Sequence, residues 1–111
     1  MRILTVSILL LFFLNNCTTN KKFEKETCQQ IHGLFTKSMS CLELKFININ
    51  PTKYRKYEQT HNLILKALAN QVYQSRISNV QVWLIYDDII NDFEKSKNKE
   101  NYLAKVLEKY D

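Results

Sequence analysis

Glycine and proline are nearly missing from this chain: Gly33 and Pro51 are the single examples of each in 111 residues. Tight strand-to-strand turns draw on both residue types, above all on glycine. A β protein with many hairpins is therefore disfavoured. So is a glycine-rich cradle for phosphate, which needs several glycines close together. Histidine is scarce as well, with only His32 and His61, and neither falls in an HExxH, CxxC or EF-hand pattern. No metal or cofactor is implied. Nor is there an excess of one charge: 16 basic residues stand against 11 acidic ones, a formal net charge of +5. That balance is too mild for a nucleic-acid partner. Finally, there is no apolar run long enough to span a bilayer. Ile3–Leu14, broken by Thr5 and Ser7, would reach about 18 Å as a helix at ~1.5 Å per residue. A hydrocarbon core of roughly 30 Å wants about 20 such residues.

What the N-terminus does contain is an address-like pattern. Arg2 supplies one positive charge, the short apolar run follows, and Leu14, Asn15, Asn16 and Cys17 make the polar exit. This resembles a secretory signal with a short hydrophobic region. More specifically, it resembles the signal of bacterial lipoproteins, where a Leu three residues before a Cys marks cleavage and the Cys becomes lipidated. The resemblance covers the first 17 residues and departs from the family pattern at Asn16, where Gly, Ala or Ser is usual. It implies that 1–16 are a signal peptide, that Cys17 is the lipidated new N-terminus, and that 17–27 form a hydrophilic tether. Thr18 then holds the sorting position, where a residue other than Asp implies the outer membrane of a Gram-negative bacterium. The chain would be anchored to the membrane by lipid and face the periplasm. An uncleaved N-terminal anchor, or an ordinary signal peptide cut near Asn20, are the alternatives.

Without 1–16 the chain keeps 95 residues, enough for one small domain over 28–111, and loses Arg2, leaving a net charge of +4. Lys21, Lys22 and Lys25 lie in the tether, where they either rest on anionic head groups or merely solvate a linker. If Cys17 carries lipid, Cys28 and Cys41 remain as a pair in a compartment where disulfides persist. A continuous helix over 28–41 would hold their Cα atoms about 20 Å apart, whereas a disulfide needs roughly 4.4–6.8 Å. Helix and bridge exclude one another. With a bridge, the chain runs as a short turn or helix through His32, reverses near Gly33 and brings Cys41 back beside Cys28. A loop so tied has few long apolar contacts of its own, and reduction should loosen it first. Without a bridge, the two cysteines are buried free thiols.

Beyond that segment, apolar periodicity predicts helices. Asn50 and Pro51 make a cap and a first helical position. From there Tyr54, Tyr57, His61, Ile64, Leu68 and Val72 recur at steps of three and four to about Gln74. Ser78 caps a second stretch in which Val82, Tyr86, Ile89 and Phe93 share a face that Trp83 and Ile90 widen. Trp83 should pack against the helix carrying Ile64 and Leu68. "VQVWLIY" is also rich in β-branched and aromatic residues, but the helical period continues unbroken through "DDIINDFEK". "EKSKNKEN" is a loop or an exposed turn. Tyr102, Leu103, Val106, Leu107 and Tyr110 then mark a short amphipathic helix, separate from the second or continuous with it. The expected fold is all-α: a small helical bundle or helical hairpin with a disulfide-tied N-terminal segment.

No set of side chains converges on a reaction. His61 lies on an apolar face, where a packed and hydrogen-bonded histidine is the ordinary role. Cys28 and His32 share i, i+4 spacing, but a Cys–His nucleophile needs a free thiolate. Asp87, Asp88, Asp92 and Glu94 form an acidic cluster, read as a solvated face near the later lysines. The aromatic residues belong mainly to the core, with some surplus suited to a protein interface. The expectation is a lipid-anchored envelope protein that binds or supports another envelope protein and is not an enzyme. An uncleaved signal-anchored accessory subunit of a membrane complex is the second reading, and a small Cys/His enzyme the third.

Overall fold

A computed structural model describes residues 27–111. The signal peptide over 1–16, the lipidated Cys17 and nearly all of the tether lie outside the described residues. Every regular element among those residues is helical.

A first turn of helix, α1, covers residues 27–32 and ends at Gly33, whose φ of 68° is the left-handed conformation that glycine adopts without cost. The Gly33 N–H donates to the Gln29 carbonyl at 2.7 Å and closes that turn. A 3₁₀ turn, Phe35–Lys37, leads into α2, Met39–Ile49. Between them the buried Ser38 donates its hydroxyl to the Leu34 carbonyl at 2.8 Å. This is the expected reversal. Apolar periodicity predicts no element over 42–49, yet these residues complete α2 and bury Leu42 and Phe46.

Asn50 caps α3, Pro51–Tyr54, by accepting from the Lys53 N–H at 3.2 Å, with Pro51 at the first position as anticipated. The predicted continuous helix is interrupted here. Arg55–Tyr57 tighten into a 3₁₀ turn before α4, Glu58–Tyr73. Tyr54, His61, Ile64 and Leu68 of the stripe are buried, and Tyr57 and Val72 partly so. α4 ends without glycine. Ser75 takes the left-handed position at φ 56°, and the Ser75 and Arg76 N–H groups donate to the Val72 and Gln71 carbonyls. This is a Schellman ending with serine where glycine is usual.

α5, Asn79–Lys95, opens with a complete capping box: the Ser78 hydroxyl accepts from Gln81 N–H and the Gln81 side chain accepts from Ser78 N–H. Its buried face is Val82, Trp83, Tyr86, Ile89 and Phe93, as the periodicity predicts. The chain breaks at Ser96, which is extended, and Asn98 caps α6, Lys99–Tyr110. The last two stripes are therefore two helices. α4 is the central element, packed most extensively against α6 and then against α2. One core unites them, with Phe35, Leu42, Phe46, Leu65, Phe93 and Leu103 among its members. Among the described residues no helix is long and apolar enough to cross a membrane.

Candidate functional site

Cys28 and Cys41 are bonded to each other, with Cα atoms 5.8 Å apart. The bridge ties the start of the domain to α2. Gly33 sits at the tip of the tied loop, and α5 grips it from outside. Its carbonyl accepts from Asn79 Nδ2 at 2.9 Å and from Trp83 Nε1 at 3.1 Å, while Asn79 Oδ1 accepts from the Phe35 N–H at 2.8 Å. The ring of Phe35, fully buried, meets Trp83 edge-on with centroids 5.2 Å apart. Two expectations change with this geometry. Trp83 shares the core with Ile64 and Leu68, but its defining partners are Phe35 and Gly33. The tied loop also carries long-range contacts through Phe35, Asn79 and Trp83, so the bridge is not its sole support.

The two histidines are far apart in character. His32 is exposed at the end of α1. His61 is buried, lies flat against Phe46 with centroids 3.9 Å apart, and bonds Tyr86 through Nε2 at 2.8 Å. Its Nδ1 faces Asn62 Oδ1 at 3.3 Å. That oxygen only accepts, so Nδ1 carries the proton and Nε2 accepts from the Tyr86 hydroxyl. Burial holds His61 down to about 4, against a smaller opposing pull from the Asn62 hydrogen bond. Burial likewise raises Tyr86 far above the ordinary phenol range. The pair is a neutral linchpin between α4 and α5. Cys28, the possible partner of His32, is oxidised and buried and presents no thiolate.

The acidic cluster runs along the later half of α5. Asp88, Asp92 and Glu94 are exposed and Asp87 is half-buried. Across from them, Tyr102 of α6 is held above its ordinary value by partial burial, then by Asp92, Tyr110 and Asp88. Beside it an open groove of about 530 Å³ is lined by Lys97, Asn98, Asn101, Lys105 and Lys109. All three lysines are exposed to water, which screens their charge. No group of three or more His, Cys, Asp or Glu side chains among the described residues could hold a metal ion.

The feature that remains is apolar and external. Val80 and Leu84, one turn apart on α5, are 69% and 63% exposed, and Ile31 and Leu34 flank Gly33 with 66% and 47% exposed. The hydrogen bonds from Asn79 and Trp83 to Gly33 place these two pairs beside the same junction. Tyr73, also exposed, ends α4 six residues before α5 begins. The helical period could not reveal this surface, because it reports which residues leave the core stripe and not which of them meet. Comparison of the chain with protein-family models, with curated proteins and with solved structures finds no match.

Proposed function

We propose that this chain is a small lipid-anchored protein of the bacterial cell envelope, with its helical domain held at the periplasmic side of the outer membrane as a binding or structural element. The observation that carries the reading is the cysteine balance. Cys28 and Cys41 satisfy one another, so of three cysteines Cys17 alone is left for other chemistry. It is also the one that follows Leu14 at lipoprotein spacing after a short apolar run. A disulfide in so small a domain suits an oxidising compartment such as the periplasm.

The test is metabolic labelling with a clickable fatty acid. Wild type should be labelled and Cys17→Ser should not; equal labelling of the two sinks the reading. Intact mass then decides the fate of residues 1–16. A mature chain starting at an acylated Cys17 fits the anchor, whereas retention of Met1–Asn16 points to a signal-anchored accessory subunit.

A further inference from the structure

We infer that the surface formed by Ile31, Leu34, Val80 and Leu84 lies on the bilayer to which the chain is tethered, with the acidic half of α5 directed away from it. The inference rests on the lipid-anchor reading above and adds an orientation to it. Three independent features point the same way.

The first is where the tether ends. Cys17 is ten residues from Thr27, a reach of at most about 35 Å fully extended. The chain enters the domain beside the bridge, and Ile31 and Leu34 follow within about two helical turns. The apolar surface is thus kept within tens of ångströms of any membrane that holds Cys17. At the high effective concentration this imposes, weak apolar contact is enough.

The second is where apolar side chains are exposed. Of the seven large hydrophobic residues left exposed among the described residues, Ile31 and Leu34 lie beside Gly33, Val80 and Leu84 lie on the first turns of α5, and Tyr73 ends α4 shortly before α5 begins, while Leu44 and Leu63 lie within α2 and α4. Tyr73 is two residues from Gln71, whose side chain bonds the Tyr110 carbonyl of α6 at 2.8 Å. Two residues correspond to roughly 160° around a helix. Tyr73 therefore points away from α6 and toward open solvent.

The third is charge. From Thr27 to Leu42 and from Gln59 to Tyr86 there is no carboxylate side chain, and Lys37, Lys66 and Arg76 are the only charged side chains in those stretches. Lys21, Lys22 and Lys25 precede them in the tether, interleaved with Glu24 and Glu26. Acidic residues begin at Asp87 and continue to Glu94, about 21 Å beyond Val80 along the helix axis. α6 returns Glu108, Lys109 and Asp111 to the near end, on the Gln71 side of α4 and away from Tyr73. An anionic leaflet accepts the carboxylate-poor, apolar corner and repels the acidic half of α5. A protein partner would account for an apolar surface but not for its place at the foot of the tether.

The test uses the full chain isolated from membranes and reconstituted in vesicles of phosphatidylethanolamine and phosphatidylglycerol. A diazirine amino acid is placed at position 84 or at position 63, both exposed. Photolysis should give at least fivefold more lipid adduct at 84 than at 63. With the probe at 34, the double substitution Val80→Asp and Leu84→Asp should cut lipid adduct about tenfold while leaving the circular dichroism spectrum unchanged. Equal adducts at 63 and 84, no lipid adduct at 84, or crosslinking in cells from 84 to an envelope protein in place of lipid would each overturn the orientation. Acylation of Cys17 is read by mass on the same sample. An acylated chain without adduct at 84 sinks the orientation and leaves the anchor standing. An unacylated chain with that adduct sinks the anchor and leaves the surface standing.

Discussion

Protonating His61 would put a cation against Phe46 and Tyr86, with no carboxylate among the partners that hold the ring. The folded protein therefore resists the proton down to about 4, while the unfolded chain takes it near 6.5. Because the unfolded state binds the proton first as pH falls, His61 contributes its full stability above pH 6.5 and loses it progressively toward pH 4. The loss should be on the order of 2–3 kcal/mol between neutral pH and about pH 4.5, at ~1.36 kcal/mol per unit. Urea midpoints at the two pH values measure it. His61→Phe keeps a ring against Phe46 but orphans the Tyr86 hydroxyl, so it should be weaker at neutral pH and show a flatter decline. An equal decline in both proteins would assign the acid sensitivity elsewhere.

Among the helix ends, that of α5 is the least ordinary. Lys99, the first residue of α6, turns its ammonium back and donates to the carbonyls of Phe93, Glu94 and Ser96 at 2.9, 3.0 and 2.9 Å. All three of its donors are used, and it lies 5.2 Å from the centre of the Phe93 ring. A cation at a helix C-terminus also meets the negative end of the helix dipole. One side chain thus caps one helix while starting the next, which fixes the corner that "EKSKNKEN" left undecided. Lys99→Met retains most of the stem and removes the donors. It should lower stability by about 1–3 kcal/mol, the cost of leaving buried carbonyls without partners. Denaturant unfolding is the measurement, and a loss below about 0.5 kcal/mol would mean that water caps the helix equally well.

For the molecule as a whole, the question is how far the bridge and the core are separable. Closing a loop with Cys28–Cys41 should contribute roughly 2–4 kcal/mol. Cys28→Ala and Cys41→Ala should each lose that amount, with the double variant little worse, since both act through one bond. Thiol counting on denatured, unreduced protein should find neither Cys28 nor Cys41 free. Reduction should not melt the N-terminal segment ahead of the rest, because Phe35, Leu42 and Phe46 are fully buried in the common core. Trp83 fluorescence reports the Phe35–Gly33 junction, and helix circular dichroism reports α4 to α6. In reduced protein the two signals should fall at the same urea concentration. An earlier change in Trp83 would mean that the segment unfolds on its own.

The sequence by itself determined the class of structure and most of its punctuation. The stripes of α4 and α5 follow from the 3.6-residue period. Asn50, Pro51 and Ser78 start helices because their side chains or missing N–H suit a helix end, and Gly33 reverses the chain because it alone adopts φ 68° freely. These are local effects, set within one or two turns of the backbone. The tertiary structure decided what those faces meet. The 3₁₀ turn at Arg55–Tyr57 lies between the stacked Tyr54 and the partly buried Tyr57, both of which bring their rings edge-on to Phe93. His61 finds Tyr86 25 residues away, Phe35 finds Asn79 44 away, and Gly33 finds Trp83 50 away. No local preference encodes such pairs. The same holds for the exposed apolar surface, whose members come from α1, the Gly33 turn and α5. They are brought to one junction because the side chains of Asn79 and Trp83 both donate to the Gly33 carbonyl and so tie α5 to the turn.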